Sequence, residues 1–212
     1  MSKLLTGKMI GLLAALLIVP AVNADTSDDV RRLQNRWAEV NYQLIDDAQL
    51  DAFEQLVEDA EVAIQAAPNS AEVLIWSGII KSTYAGAKGG LGALALAKAA
   101  KADFEAAMDI DADALDGSAY TSLGILYHSV PGWPVGFGSD KKAEQLLETG
   151  VKSNPAGIDN NYFYAVFMAD EKKYDVAREY FLKAQAAAPR PGRELADEGR
   201  QKEIAAALAD LK

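Results

Sequence analysis

The sequence predicts an all-α fold of antiparallel helical hairpins stacked in series. Apolar residues recur three and four positions apart along most of the chain, the spacing that gathers them on one face of a helix. No stretch alternates apolar and polar residues for long enough to make strands, and alanine, the strongest helix former, is frequent throughout. One pattern also returns down the chain: a small residue, four intervening positions, then proline, at Ala63 to Pro68, Gly150 to Pro155 and Ala184 to Pro189. A fourth copy, Ala107 to Ala112, keeps the frame with alanine in the proline slot.

The elements follow in order. Residues 1–24 predict a cleavable export signal. Lys3 and Lys8 supply a positive start, and Met9 to Val19 is an apolar run shorter than the about 20 residues that span a bilayer. Pro20 breaks that run, and Val22-Asn23-Ala24 offers the small residues a signal peptidase reads. The expected destination is the bacterial periplasm, with a single domain over residues 25–212. Asp25 to Asp29 predicts a polar lead-in. Val30, Leu33, Trp37 and Val40 mark a first stripe, and Leu50, Phe53, Leu56, Ala60 and Ala63 a second that Pro68-Asn69 stops. The next helix is expected from Ala71 to about Tyr84.

In the repeating frame, Gly78, Gly124 and Ala165 fall mid-helix in the first member of each hairpin. Ala100, Ala143 and Ala177 fall in the second member. Small residues let paired helices approach closely, and large ones fill the space to the next pair. Proline ends the second helix because its ring cannot continue the hydrogen-bonding ladder.

The unit Tyr164-Ala165, Tyr174, Ala177, Phe181, Ala184, Pro189 resembles the tetratricopeptide repeat, as does the unit before it: Tyr120, Leu123-Gly124, Tyr127, Ala143, Leu147, Gly150, Pro155. The resemblance implies a right-handed superhelix with repeats over about 37–68, 71–112, 117–155 and 158–189. The markers Pro68, Ala112, Pro155 and Pro189 lie 44, 43 and 34 residues apart, against a family period of about 34. Insertions between the helices of two hairpins are therefore expected, at Gly86 to Ala95 and around Pro131 to Ser139. After the Pro189-Arg190-Pro191-Gly192 linker, Ile204, Leu208 and Leu211 share a face, which predicts a capping helix over 194–211. The run Tyr127 to Gly138, with Gly157 to Tyr164, is similar to small exported bacterial proteins of this type. More loosely, the arrangement is similar to the helical T-component that accompanies TRAP-type transporters.

Composition narrows function. The formal charge of −10, which loss of the signal would carry to −12, repels nucleic acid and anionic lipid. With no cysteine there is no disulfide or thiolate chemistry. His128 is the single histidine, and its neighbour Ser129 does not share its helix face, so no catalytic set of nucleophile and base forms. The acidic run Asp109 to Gly117 has Ala114 and Tyr120 where a calcium loop needs glycine and glutamate. Gly86 to Gly92 lacks the strand and the lysine spacing of a phosphate loop. No metal site, cofactor or enzyme activity is therefore expected.

Binding is expected instead, to a protein or peptide segment or to an apolar small molecule. The first helix of each hairpin should line the concave side. That predicts a surface of Ile75, Ile79 and Thr83, then Thr121, Ile125 and His128, then Tyr162 and Val166. It is apolar with a few hydroxyls and has no arginine or lysine cluster. Trp133 and Phe137 sit on the stiff second insertion, with Trp133 expected either to plug the stack or to form a binding surface. A scaffold or adaptor is the function these residues predict, with a ligand-handling component beside a solute transporter as the alternative.

Overall fold

The structure, a computed structural model, describes residues 23–211, apart from the side chains of 23–25 and Leu91. The predicted export segment lies outside the described residues except for Asn23 and Ala24, which open the first helix. Among the described residues there are nine helices and no strand: α1 (Asn23–Gln43), α2 (Asp46–Ala66), α3 (Ala71–Lys88), α4 (Gly90–Asp111), α5 (Ala114–Ser129), α6 (Asp140–Ser153), α7 (Ile158–Asp170), α8 (Tyr174–Gln185) and α9 (Glu194–Asp210). The first eight pair as antiparallel hairpins, giving the all-α, tetratricopeptide-like stack.

The small residues are where the helices meet. A Cβ at Gly78 would lie 2.5 Å from the Phe104 ring, so that ring of α4 packs directly on the α3 backbone. Gly124 stands in the same relation to Leu147 across α5 and α6. Ala165 and Phe181 repeat the pairing in α7 and α8, both fully buried. Two caps fix where helices begin: the Ser70 hydroxyl accepts from the Val73 amide at the head of α3, and Ser139 accepts from Lys142 at the head of α6. Each such cap stabilises its helix by about 1 kcal/mol.

Several boundaries differ from expectation. The Asp25 to Asp29 lead-in is helical, because Asp28 pairs with Arg31 and Asp29 with Arg32 one turn on. The first insertion forms no loop. The good helix formers around Gly89 and Gly90 lengthen α3 and α4 to 18 and 22 residues, and the reversal is confined to those two glycines, at φ 61° and 64°. The second insertion is a true loop over 130–139. No side-chain hydrogen bond caps α5. Leu115, Asp116 and Gly117 instead make a left-handed turn, and the Ser118 hydroxyl donates to the Leu115 carbonyl at 2.7 Å.

The inner helices form a ring. Contacts run α1 to α3, α3 to α5, α5 to α7, α7 to α9, and α9 back to α1. The last helix thus covers the final hairpin, as a cap should, and also seats on the first helix. Gly199 lets this happen, since a Cβ there would fall 2.5 Å from the Tyr42 ring of α1. Ala196 joins the same buried cluster as Trp37 and Trp76.

Gly124→Ala should destabilise the fold by about 1–3 kcal/mol through overpacking. Its added methyl would sit 2.8 Å from Leu147 Cγ and 3.1 Å from the Leu147 backbone nitrogen, and the latter cannot swing aside. Urea unfolding with an unchanged slope checks this.

Candidate functional site

Closing the ring turns the concave face into a cavity of about 270 Å³. Trp37 and Tyr42 of α1, Trp76, Ile79 and Thr83 of α3, and Thr121 and Ile125 of α5 line it. Asn160 and Phe163 of α7 complete that wall, and Arg190, Arg193 and Arg200 reach in from the linker and α9. The helices that form the outer layer contribute almost nothing.

The predicted surface is thus brought together in part. Ile79, Thr83, Thr121 and Ile125 lie on the cavity wall. Ile75 does not: it is fully buried one turn earlier, under Ala114 and Ala119 of the next hairpin. Tyr162 and Val166 face other neighbours. Tyr162 packs on Phe181 and Val166 packs into the core, so Asn160 and Phe163 present the α7 face instead, with the Arg200 guanidinium over both Tyr162 at 4.2 Å and Phe163 at 4.6 Å. His128 is also outside the cavity. Trp133 is no plug, being 90% exposed, and Phe137 takes that place edge-on against Tyr127 at 5.5 Å.

The arginines overturn the expectation of a concave face free of cationic clusters. They escape a search of the first helices because they come from the cap and its linker. Their spacing, Arg190-Pro-Gly-Arg193 with Arg200 two turns into the final helix, was the available signal. Asp159 in the first turn of α7 accepts from Arg190 Nη1 at 2.7 Å and from Arg200 Nε at 2.8 Å. Asp197 holds Arg190 from the other side, at 2.7 Å from Nε and 2.7 Å from its backbone amide. Burial pushes the Asp159 carboxyl up, but Arg200 and Arg190 outweigh it and hold it at about 2. Arg193 is different. Its guanidinium stacks 4.8 Å over Trp76 and has no ion pair among the described residues, and burial together with neighbouring Arg190 lowers it to about 10.

The hydroxyls on the wall are committed. Thr83 Oγ1 accepts from Trp37 Nε1 at 3.0 Å, and Thr121 Oγ1 accepts from Asn160 Nδ2 at 2.9 Å. Asn160 also donates to the Gly150 carbonyl at 3.0 Å, tying three helices at one point.

His128 joins the ends of three helices. Its Nδ1 lies 2.8 Å from Asp140 at the head of α6, and its Nε2 lies 2.9 Å from Asp170 at the end of α7. Carboxylates only accept, so satisfying both requires both ring nitrogens protonated. Burial lowers the pKa of this group, yet the hydrogen bonds to Asp170 and Asp140 outweigh it and raise the pKa above the ordinary value.

No protein-family model matches the chain, and no curated protein matches it. A solved structure described as "Functional Characterization of Pseudomonas Aeruginosa pilF" is similar at 15% identity and a TM-score of 0.36, covering 87% of this chain and 89% of that one. Among the described residues no helix is long and apolar enough to cross a membrane.

Asp159→Asn should leave Arg200, whose side chain is only 8% exposed, with Glu203 alone as its counter-charge, and cost about 3 kcal/mol in thermal or urea unfolding. Because the folded carboxyl is depressed, the wild-type contribution is complete above the ordinary carboxylate pKa of about 4. It is lost as pH falls through about 2. His128 has the opposite sign: its raised pKa makes its contribution complete below about 6.5. That contribution fades as pH rises through the folded value. His128→Gln should therefore destabilise the protein at pH about 5.5 more than at pH about 8.5, measured as urea midpoints.

Proposed function

We propose that the protein is an exported, periplasmic, non-enzymatic scaffold or adaptor that docks another protein through the 130–139 loop. The observation that carries this reading is an exposed apolar anchor on a loop that is already ordered. Trp133 and Val135 are 90% and 66% exposed. Around them the loop is tied by the Gly138 amide to the Pro131 carbonyl at 3.0 Å, and by the Ser139 amide to the Tyr127 carbonyl at 2.9 Å. Phe137 pins its far side to Tyr127. A tryptophan presented on a pre-ordered loop loses little freedom on docking, and tryptophan is among the residues that dominate interface energies. The absence of catalysis is supported by His128, whose two nitrogens are both engaged by carboxylates. Export is supported by the Lys3, Lys8 and Met9 to Ala24 pattern.

A second reading, ligand handling beside a solute transporter, is favoured by one observation. The concavity is closed by α9, so it suits a compact guest better than an extended peptide.

A photo-crosslinking amino acid at position 133, introduced in the native host, should give one discrete protein adduct. The same probe at Val62, exposed on the outer face of α2, should give none. The purified partner should then bind Trp133→Ala at least about tenfold more weakly, the loss of a hot-spot side chain. Identical adducts from both positions would sink the docking reading. Release of the processed chain by osmotic shock checks its location.

A further inference from the structure

Among the described residues, two buried donors on the cavity wall have nothing to donate to. Arg193 Nε and Trp76 Nε1 are both buried and without a hydrogen-bond partner. The two residues line the same cavity, and the guanidinium stacks on the indole at 4.8 Å. Neither group can accept a hydrogen bond, so no rearrangement between the two could satisfy them. A buried donor left unpaired costs about 1–3 kcal/mol, and more when it is charged. Both are met at once by an acceptor brought from outside.

The surroundings define that acceptor. The other two arginines are already occupied, Arg200 by Asp159 and Glu203 and Arg190 by Asp159 and Asp197. Among the described residues of the wall, one cation is therefore free to be neutralised, and Asp159 and Asp116 disfavour a guest bearing a second negative charge. A flat group with two acceptor oxygens matches a guanidinium edge and a neighbouring N–H better than a single oxygen does. The rest of the wall, Trp37, Ile79, Ile125 and Phe163, is apolar or aromatic. The volume of about 270 Å³ is just under the range for drug-sized ligand sites, about 300 Å³ upward, and so fits a compact guest.

We infer that the cavity is a receptor for a single carboxylate carried on a compact apolar or aromatic body, with Arg193 and Trp76 holding the carboxylate. The guest is a free carboxylic acid or the terminal carboxylate of a chain, since both present this chemistry. The inference rests on the cavity being a ligand site and is independent of docking through Trp133.

The test uses the full processed chain labelled with ¹⁵N in tryptophan, whose three indole signals are assigned with single Trp→Phe variants. The probes are phenylacetate, its neutral partner phenylacetamide, and the dipeptide Gly-Phe with a free or an amidated C-terminus. Phenylacetate or free-acid Gly-Phe, whichever source is right, should shift the Trp76 indole signal and leave that of Trp133 unmoved. The amides should not shift it, and Arg193→Gln should weaken acid binding at least about tenfold, as loss of a charge-assisted hydrogen bond implies. Arg193 makes no ion pair among the described residues, so the ligand-free variant should also melt at a higher temperature than the wild type, whereas loss of a structural arginine would lower it. Equal shifts from acid and amide would overturn the carboxylate and leave the cavity reading standing. No shift at Trp76 from any probe would overturn both, and undiminished acid binding by Arg193→Gln would overturn the assignment to Arg193.

Discussion

The ion network of Arg190, Asp159 and Arg200 is the constraint on which the closed form of the molecule depends. A string of hairpins held only by neighbour contacts has two free ends. Here the linker and α9 are drawn back across the inner face because one carboxylate at the head of α7 binds two guanidiniums, one from each. Asp197 then closes the linker on itself through the backbone amide and side chain of Arg190. Desolvating such charges is costly, and an apolar substitute could hold α9 as tightly. An apolar contact would tolerate sliding, whereas paired hydrogen bonds of fixed direction set the register of α9 against α7. That register places Gly199 against Tyr42 and Ala196 in the cluster of Trp37 and Trp76.

The same network explains how an acidic protein has a cationic interior. The formal charge of −10 is spread over the outside of the helices, where aspartates and glutamates pair with lysines one turn away or face water. Such exposed pairs contribute little. Inside, three arginines meet in a small volume, and burial strengthens every interaction among them. A diffusing anion is repelled by the outer field and attracted only at short range. Selection by the cavity therefore operates on fit and hydrogen bonding more than on long-range steering.

What was legible in the sequence is what local physics decides. Gly78, Gly124 and Ala165 could be placed by frame because each must meet large residues of its partner helix: Phe104 and Leu147 meet the two glycines, and Ala165 is buried in one cluster with Phe181. Ile79, Thr83, Thr121 and Ile125 followed from helical spacing alone. The errors arise where a choice depends on distant parts of the chain. Ile75 shares a helix face with Ile79 but is covered by the next hairpin, and nothing local in the sequence reports that cover. Tyr162 and Phe163 are adjacent aromatics that both lie under the Arg200 guanidinium, and Tyr162 also packs on Phe181 of the partner helix while Phe163 stands on the cavity wall. The arginines reach the cavity because α9 is a wall of the interior as well as a cover for one end, which the spacing of Ile204, Leu208 and Leu211 does not report.

The left-handed turn before α5 fits this picture. Leu115 and Asp116 adopt φ of 49° and 56°, a conformation that costs a residue with a Cβ about 1 kcal/mol or more. Gly117 follows at φ 72°, where a Cβ would lie 2.7 Å from that of Ser153, so the chain passes too close to α6 for any other residue there. In the turn that forms, both stand at the cavity wall. The backbone thus holds unfavourable angles at two positions of that wall. The hairpins on either side tolerate that cost because their own packing is set by Gly78 and Gly124, each a full turn or more away.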